Sequence, residues 1–352
     1  MEGRDTLDPD DFRFRGLHPR VSLGTASDRY AGWLGQIYSA ERFARSVSSR
    51  TKRVGGKTFK EAVLPVESVE EYFQHFRVLE IDYTFYRFLL EEDGKASQTF
   101  HVLRSYRDHL SESDRLILKV PQAVFAQKLL RGGKAVRNPI YLNPEVFTRL
   151  FYEPAVALLG ANLSGLVFEQ EYQRKDDRTS PVELARELDR FFTCLPGDDR
   201  YHVELRTESY LAAPVLAVLE KHGVGQVLSH WTWLPPLHQQ LAKAGFRFFN
   251  AGRQSIIRLM TPLGVRYEDA YARAHPFDQL VEEMMQPRMI QETASLVHES
   301  IHRDIHMNVI VNNRAGGNAP LIARRIAKEL LAIQTRSKKE DCSAASQKYS
   351  SC

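Results

Sequence analysis

The sequence has little of what would commit it to a special class. It holds only three cysteines in 352 residues, too few for a disulfide framework, and Cys342 and Cys352 fall in a polar tail. Reduced thiols in a cytoplasmic protein are the simplest reading. No apolar run approaches the ~18 residues of a membrane-spanning helix, so no membrane partner is expected. The opening MetGluGlyArgAspThrLeuAspProAspAspPheArgPheArg carries acids where a signal peptide needs an apolar stretch, which argues against secretion. CxxC and HxxEH spacings are missing, so no metal site is named. Net charge is also small, +4 from 48 Lys plus Arg against 44 Asp plus Glu. With 19 Phe, 14 Tyr and 3 Trp, the chain has enough large side chains to exclude disorder throughout. What remains is an ordinary globular composition, 43% hydrophobic and 26% charged, long enough for one large α/β domain or two modest ones.

Short apolar runs bounded by turn residues read as buried strands. Eight occur: Val21 to Gly24, Val78 to Ile81, Leu116 to Val120, Gly165 to Phe168, Tyr201 to Leu205, Gln226 to Leu228, Ser255 to Leu259 and Met307 to Val311. Helical stretches fall between them, among them Val69 to His75, Pro181 to Phe192 and Pro214 to His222. A last one covers Pro320 to Gln334, with Ile322, Ile326 and Leu330 on one face. Alternating strands and helices argue for a parallel sheet, and eight units for a closed TIM-type (β/α)8 barrel. The expected organisation is an extension over 1–20, the barrel over 21–334 and a disordered tail over 335–352.

In such a barrel the loops that follow the strands share one face, where ligands bind. The loop after the first strand holds seven basic residues and no acid between Arg42 and Lys60, among them Arg50, Lys52 and Arg53. The segment after the third strand adds Lys128, Arg131, Lys134 and Arg137 around a Gly-Gly pair. These are either solvated loops or a basic rim that draws in an anion or nucleic acid. The strand ends themselves carry Glu80, Lys119, Glu169, Glu204 with Arg206, His230, Arg258 and Asn312-Asn313. Ionisable groups there should sit at the mouth of an apolar core, as a ligand site or as salt bridges closing the barrel top.

At these positions the chain resembles the YecE-like proteins, the domain-of-unknown-function family numbered seventy-two. GlyThrAlaSerAspArgTyrAlaGlyTrpLeuGlyGlnIleTyr (Gly24 to Tyr38) looks like the family's opening motif. PheArgValLeuGluIleAspTyrThrPheTyrArg (Phe76 to Arg87) is similar to its FxxVEINSTFYR element. Leu116 to Pro121, His202 to Arg206, Ile256 to Leu259 and Val309 to Pro320 follow in the family's order. The resemblance implies a TIM-type barrel and brings no settled activity. The chain departs from the pattern at Ser27-Asp28, where the family has Trp-Ser, at Asp82 for Asn, at Ser229-His230-Trp231 and at Met260.

Several chemistries compete for these residues. Asn312, Asn313, Gly316, Gly317 and Asn318 lead into the last helix, forming either an oxyanion cradle with Arg258 or a capped turn. Glu80, Glu169, Glu204 and His230 could gather a divalent ion, but Lys119, Arg206 and Arg258 on the same rim oppose it. His298, His302 and His306 are taken as surface or packing residues, and Cys194 as a small buried one. Trp33 and Tyr86 offer rings for stacking beside Glu80, or pack against the first helix. The expected function is an enzyme of hydrolase type acting on a phosphate-bearing ligand, with nucleic acid a candidate. Glu80 and Glu204 serve as acid and base, while Lys119, Arg206 and Arg258 hold the anion. No cofactor is named. The competing reading is a non-catalytic protein whose basic rim grips a polyanion or a protein partner.

Overall fold

The structure is a computed structural model describing residues 5–132, 134–176 and 178–349, with side chains omitted at 130, 131 and 340–349. Eight strands build it: β1 (Val21–Ala26), β2 (Val78–Ile81), β3 (Arg115–Lys119), β4 (Leu163–Glu169), β5 (Tyr201–Glu204), β6 (Gly225–His230), β7 (Gln254–Leu259) and β8 (His306–Val311). Each pairs in parallel with its neighbour in sequence, and β8 pairs with β1, which closes the barrel. The apolar runs of the sequence are these strands, displaced by a residue or two at some ends.

Side chains alternate across each strand, so a barrel sorts them into two cores. Leu79, Leu118, Phe168, Val203, Ile257 and Val309 face outward and pack under the helices. Val78, Ile117, Val167, Val227, Ile256 and Ile310 fill the interior. Among the covering helices, Pro181–Cys194 opens on a capping box, Ser180 and Glu183 bonding each other's backbone N–H groups.

The two basic segments fold into antiparallel hairpins outside the barrel. Ser48–Val54 pairs with Lys57–Val63, and Lys128–Arg131 with Lys134–Arg137. Gly55 and Gly56 both take positive φ, the two-residue turn whose twist suits a hairpin. Phe59 of the first hairpin packs edge-on against Tyr271, on the helix Tyr267–Ala274 that follows β7.

Phe12, Phe14 and Leu17 are buried at the amino end of the barrel. The last helix runs from Ala319 to Tyr349, past Gln334 and into the stretch read as a disordered tail. The physical reason is composition: Lys, Glu, Ala and Gln favour helix, and no Gly or Pro interrupts the segment.

Candidate active site at the carboxyl end of the barrel

Moving two residues along a strand returns the side chain to the same face. The step from Val78 to Glu80, Ile117 to Lys119, Val167 to Glu169, His202 to Glu204 and Ile256 to Arg258 therefore carries the interior from apolar to ionic. Arg258 stands at the centre. Its Nη2 donates to Glu80 Oε1 at 2.7 Å, and its Nη1 to Glu169 Oε2 at 3.0 Å and to Glu204 Oε2. Glu169 also takes Lys119 Nζ at 2.6 Å and Arg206 Nη1 at 2.9 Å, and Arg206 reaches Glu204 at 3.4 Å. Glu80 and Glu204 are fully buried. Three carboxylates thus meet three cations at the top of the interior, and the strand-end residues Glu80, Lys119, Glu204, Arg206 and Arg258 lie in one cluster.

The electrostatics separate the members. Burial drives the Glu80 carboxyl above its ordinary range, against the pull of Arg258 and Lys119. Burial would raise Glu169 too, but Arg206, Lys119 and Arg258 outweigh it and hold that carboxyl far below the usual range. Burial pushes the Lys119 ammonium down, with Glu169 opposing. Arg258 stays charged because Glu204, Glu80 and Glu169 surround it. Two acids of one kind are therefore shifted in opposite directions within a single cluster. Glu80 Oε2, Glu204 Oε1 and Arg258 Nε are buried without a hydrogen-bond partner among the described residues. Such atoms carry a cost unless something else meets them.

Aromatic rings edge this cluster. Lys119 Nζ lies 3.8 Å from the centre of the Phe85 ring, and the Arg206 guanidinium 4.9 Å from that of Trp231. Tyr172 packs beside Trp231 and Trp233 with centroids 6.0 and 5.9 Å away. Tyr86, Tyr172 and Trp233 follow β2, β4 and β6 and remain exposed at 79%, 43% and 45%.

Other expected site residues are placed elsewhere or differently. The loop from Asn312 to Asn318 is a capped turn. Gly316 and Gly317 donate to the Asn313 carbonyl, Asn312 caps Arg314, and Asn313 and Asn318 accept from Ala319 and Leu321. The backbone donors of Arg314, Gly316, Gly317, Ala319 and Leu321 are engaged within the turn, and Asn318 Nδ2 donates to Gln36 and the Phe277 carbonyl. Among the described residues, Asn313 Nδ2 is buried without a partner, and Arg258 is held by carboxylates and is not among this loop's hydrogen-bond partners. Trp33 is fully buried, with Nε1 3.3 Å from Asn313 Oδ1, and offers no face for stacking. Arg50 and Lys52 are paired, at 2.6 and 3.6 Å, with Glu61, one residue past the acid-free stretch. The basic loop is thus partly neutralised by its own hairpin; Arg53 and Lys134 are exposed, and the Arg131 side chain lies outside the described residues. Cys194 is exposed rather than buried, at the end of its helix. His230 is buried with Nδ1 2.9 Å from the Thr261 carbonyl, and burial lowers its pKa. His306 meets Ser22 Oγ at 2.9 Å at the amino end of the barrel.

Some participants escaped the sequence reading. Glu169 was noted at a strand end but not as the residue that gathers the cations. Tyr172 and Trp233 are not among the expected site residues, although the alternation in SerHisTrpThrTrp across the end of β6 is a usable signal. Among the described residues, no group of three or more His, Cys, Asp or Glu could hold a metal ion, and no helix is long and apolar enough to cross a membrane.

A family model, Protein of unknown function DUF72, matches residues 22–346. Two solved structures share the architecture. A DUF72 family protein of Enterococcus faecalis is similar at 16% identity over 88% of this chain and 95% of its own, with a TM-score of 0.53. Another, from Thermotoga maritima, is similar at 13% identity over 89% and 99%, with a TM-score of 0.51. At such identities the likeness speaks for the fold alone. No curated protein matches the sequence.

Proposed function

Starting from the chain's membership of the DUF72 family, we propose that it is a hydrolase working at the carboxyl face of the barrel, with Glu80 as general acid and Glu204 as general base. The observation that carries this reading is the pair of unpartnered carboxylate oxygens, Glu80 Oε2 and Glu204 Oε1, on either side of the Arg258 guanidinium. Burial keeps Glu80 inclined toward its protonated form, the state that delivers a proton to a leaving oxygen. Arg258 fixes both carboxyls through its two terminal nitrogens, so their positions do not depend on the ligand.

The ligand we favour bears both a ring and a phosphate. Tyr86, Tyr172 and Trp233 provide exposed faces for the ring. Lys119 and Arg206 are the cations a phosphate would reach, and both are bound to Glu169 in the free protein. The phosphate takes them over by exchange with Glu169, and charge-assisted bonds to the anion replace those to the carboxylate. The competing polyanion-binding reading loses ground because Arg50 and Lys52 are already paired with Glu61.

A panel of p-nitrophenyl phosphomonoesters and phosphodiesters tests the proposal. Turnover by the intact chain should fall by about 10²-fold or more in Glu80→Gln and in Glu204→Gln, the scale of one lost acid or base. Thermal melts with phosphate should still report binding in both variants. Turnover unaffected by either change would overturn the assignment.

A further inference from the structure

A cavity lies beside the mouth, under the first hairpin, and shares no side chain with the central cluster. It measures about 250 Å³ and is lined by Asp28, Arg29, Arg50, Glu61, Asp82 and Tyr83, with Val63, Val102 and Tyr106 among its apolar walls. At about 30 Å³ per water it has room for roughly eight water-sized atoms. Ser27 and Asp28, which follow β1 directly, set one wall. Ser27 takes φ 69°, a left-handed conformation uncommon for serine, and its Oγ donates to Asp82 Oδ1 at 3.1 Å. The Asp28 carbonyl accepts from Tyr38 at 2.9 Å, and Asp28 Oδ1 accepts from the Tyr106 hydroxyl at 2.8 Å.

Three groups in this wall are ready for a ligand. Asp28 is only 2% exposed, yet its Oδ2 has no partner among the described residues. The Tyr83 hydroxyl is likewise buried and unpartnered. The Arg29 guanidinium makes no ion pair among the described residues and rests against the Tyr106 ring at 5.9 Å. A buried acceptor, a buried hydroxyl and an unpaired guanidinium around one polar cavity ask for a molecule that carries a cationic donor and an anionic acceptor together. The remaining charges give the sign. Glu61 is matched by Arg50 and Lys52, while Asp82 adds a second carboxylate on the side of Asp28.

We propose that this cavity binds a free α-amino acid, its carboxylate on Arg29 and its ammonium on Asp28 Oδ2, with the side chain against Val63 and Val102. The Tyr83 hydroxyl donates to the same carboxylate. Burial lifts the Asp28 carboxyl to about 6 in the empty protein, so the ammonium must find it ionised and binding strengthens as the pH rises through that value.

Calorimetric titration of the intact chain with each common L-amino acid at ~10 mM tests the site, with propionate and n-propylamine as probes lacking one of the two charges. At least one amino acid should bind with Kd below about 1 mM near pH 7.5 and several-fold weaker near pH 5. Propionate and n-propylamine should bind about tenfold weaker or not at all. Asp28→Asn and Arg29→Gln should each weaken binding by about tenfold. Tyr83→Phe, which removes one hydroxyl and leaves the ring, covers the case in which either variant unfolds. Absence of binding by every amino acid would overturn the proposal. So would affinity unchanged in all three variants, or propionate binding as well as the amino acids. None of these results bears on the hydrolase reading, whose side chains are elsewhere.

Discussion

Two arginines are buried at opposite ends of the same barrel, and they are treated differently. Arg15, at the amino end, donates to Asp114 Oδ1 at 2.8 Å, to the Phe73 and Phe76 carbonyls at 2.8 and 3.1 Å, and to Ser113 Oγ at 2.8 Å. Asp114 is completed by the backbone N–H and hydroxyl of Ser111 at 2.8 and 2.7 Å. Arg258, at the carboxyl end, faces three carboxylates and leaves its own Nε and two of their oxygens without partners among the described residues. The first arrangement is closed and pins the amino-terminal segment to the barrel floor. The second keeps ionic groups in place with capacity to spare, which is how a site differs from a staple.

The sharpest way to break the comparison is to remove each arginine. Arg15→Ala should cost about 3–5 kcal/mol in denaturant unfolding, the usual penalty for breaking a buried pair, and it touches one buried carboxylate where Arg258 holds three. Arg258→Met should cost a similar ~3–5 kcal/mol near neutral pH, but the loss should shrink in acid as the stranded carboxylates take up protons. Equal pH dependence in the two variants would remove the distinction between the two ends.

Glu169 gives a smaller and more specific contrast. Its folded carboxyl lies below the ordinary value, so its stabilising contribution is full above the ordinary glutamate range and fades as the pH falls below it. Glu169→Gln strands Lys119 and Arg206 and should lower the melting temperature. Inorganic phosphate at a hundredfold excess over its Kd for the variant should then add about 2.7 kcal/mol, more than the same concentration adds to the unaltered chain. An equal response to phosphate in both proteins would show that Glu169 does not compete with the anion.

The smallest effect is expected at the rim. Trp233→Ala and Tyr86→Ala remove exposed rings and should change stability by no more than about 0.5 kcal/mol. Each should weaken binding of a ring-bearing nucleotide by about 1–3 kcal/mol in a fluorescence titration. Unchanged affinity in both would detach the rings from the site.

The strands were legible because each is a short apolar run, and strand ends could then be assigned to one face. That assignment places Glu80, Lys119, Glu204, Arg206 and Arg258 on one face from the sequence alone. Pairing was not legible, because it depends on reach across the barrel and not on position along the chain. Glu61 stands one residue outside the acid-free stretch, yet it holds Arg50 and Lys52 across a hairpin whose Gly55-Gly56 turn was passed over. Arg15 was hidden because its partners other than Asp5 are 58 to 99 residues away. Trp33 illustrates the same limit, since an indole set between Gly32 and Gly35 can stack on a ligand or bury itself on Asn313.

The central claim is that the cluster around Arg258 keeps one carboxyl ready to give a proton while another waits behind its cations. The most direct measurement is a carboxyl carbon NMR titration of 13C-glutamate-labelled protein, assigned with Glu80→Gln and Glu169→Gln and repeated with inorganic phosphate. The account predicts that Glu80 titrates above the ordinary glutamate range, and that Glu169 stays ionised far into acid and moves upward when phosphate binds. Both residues titrating together at the ordinary value, with phosphate shifting neither, would contradict it and make the carboxyl end a second closed staple like that of Arg15.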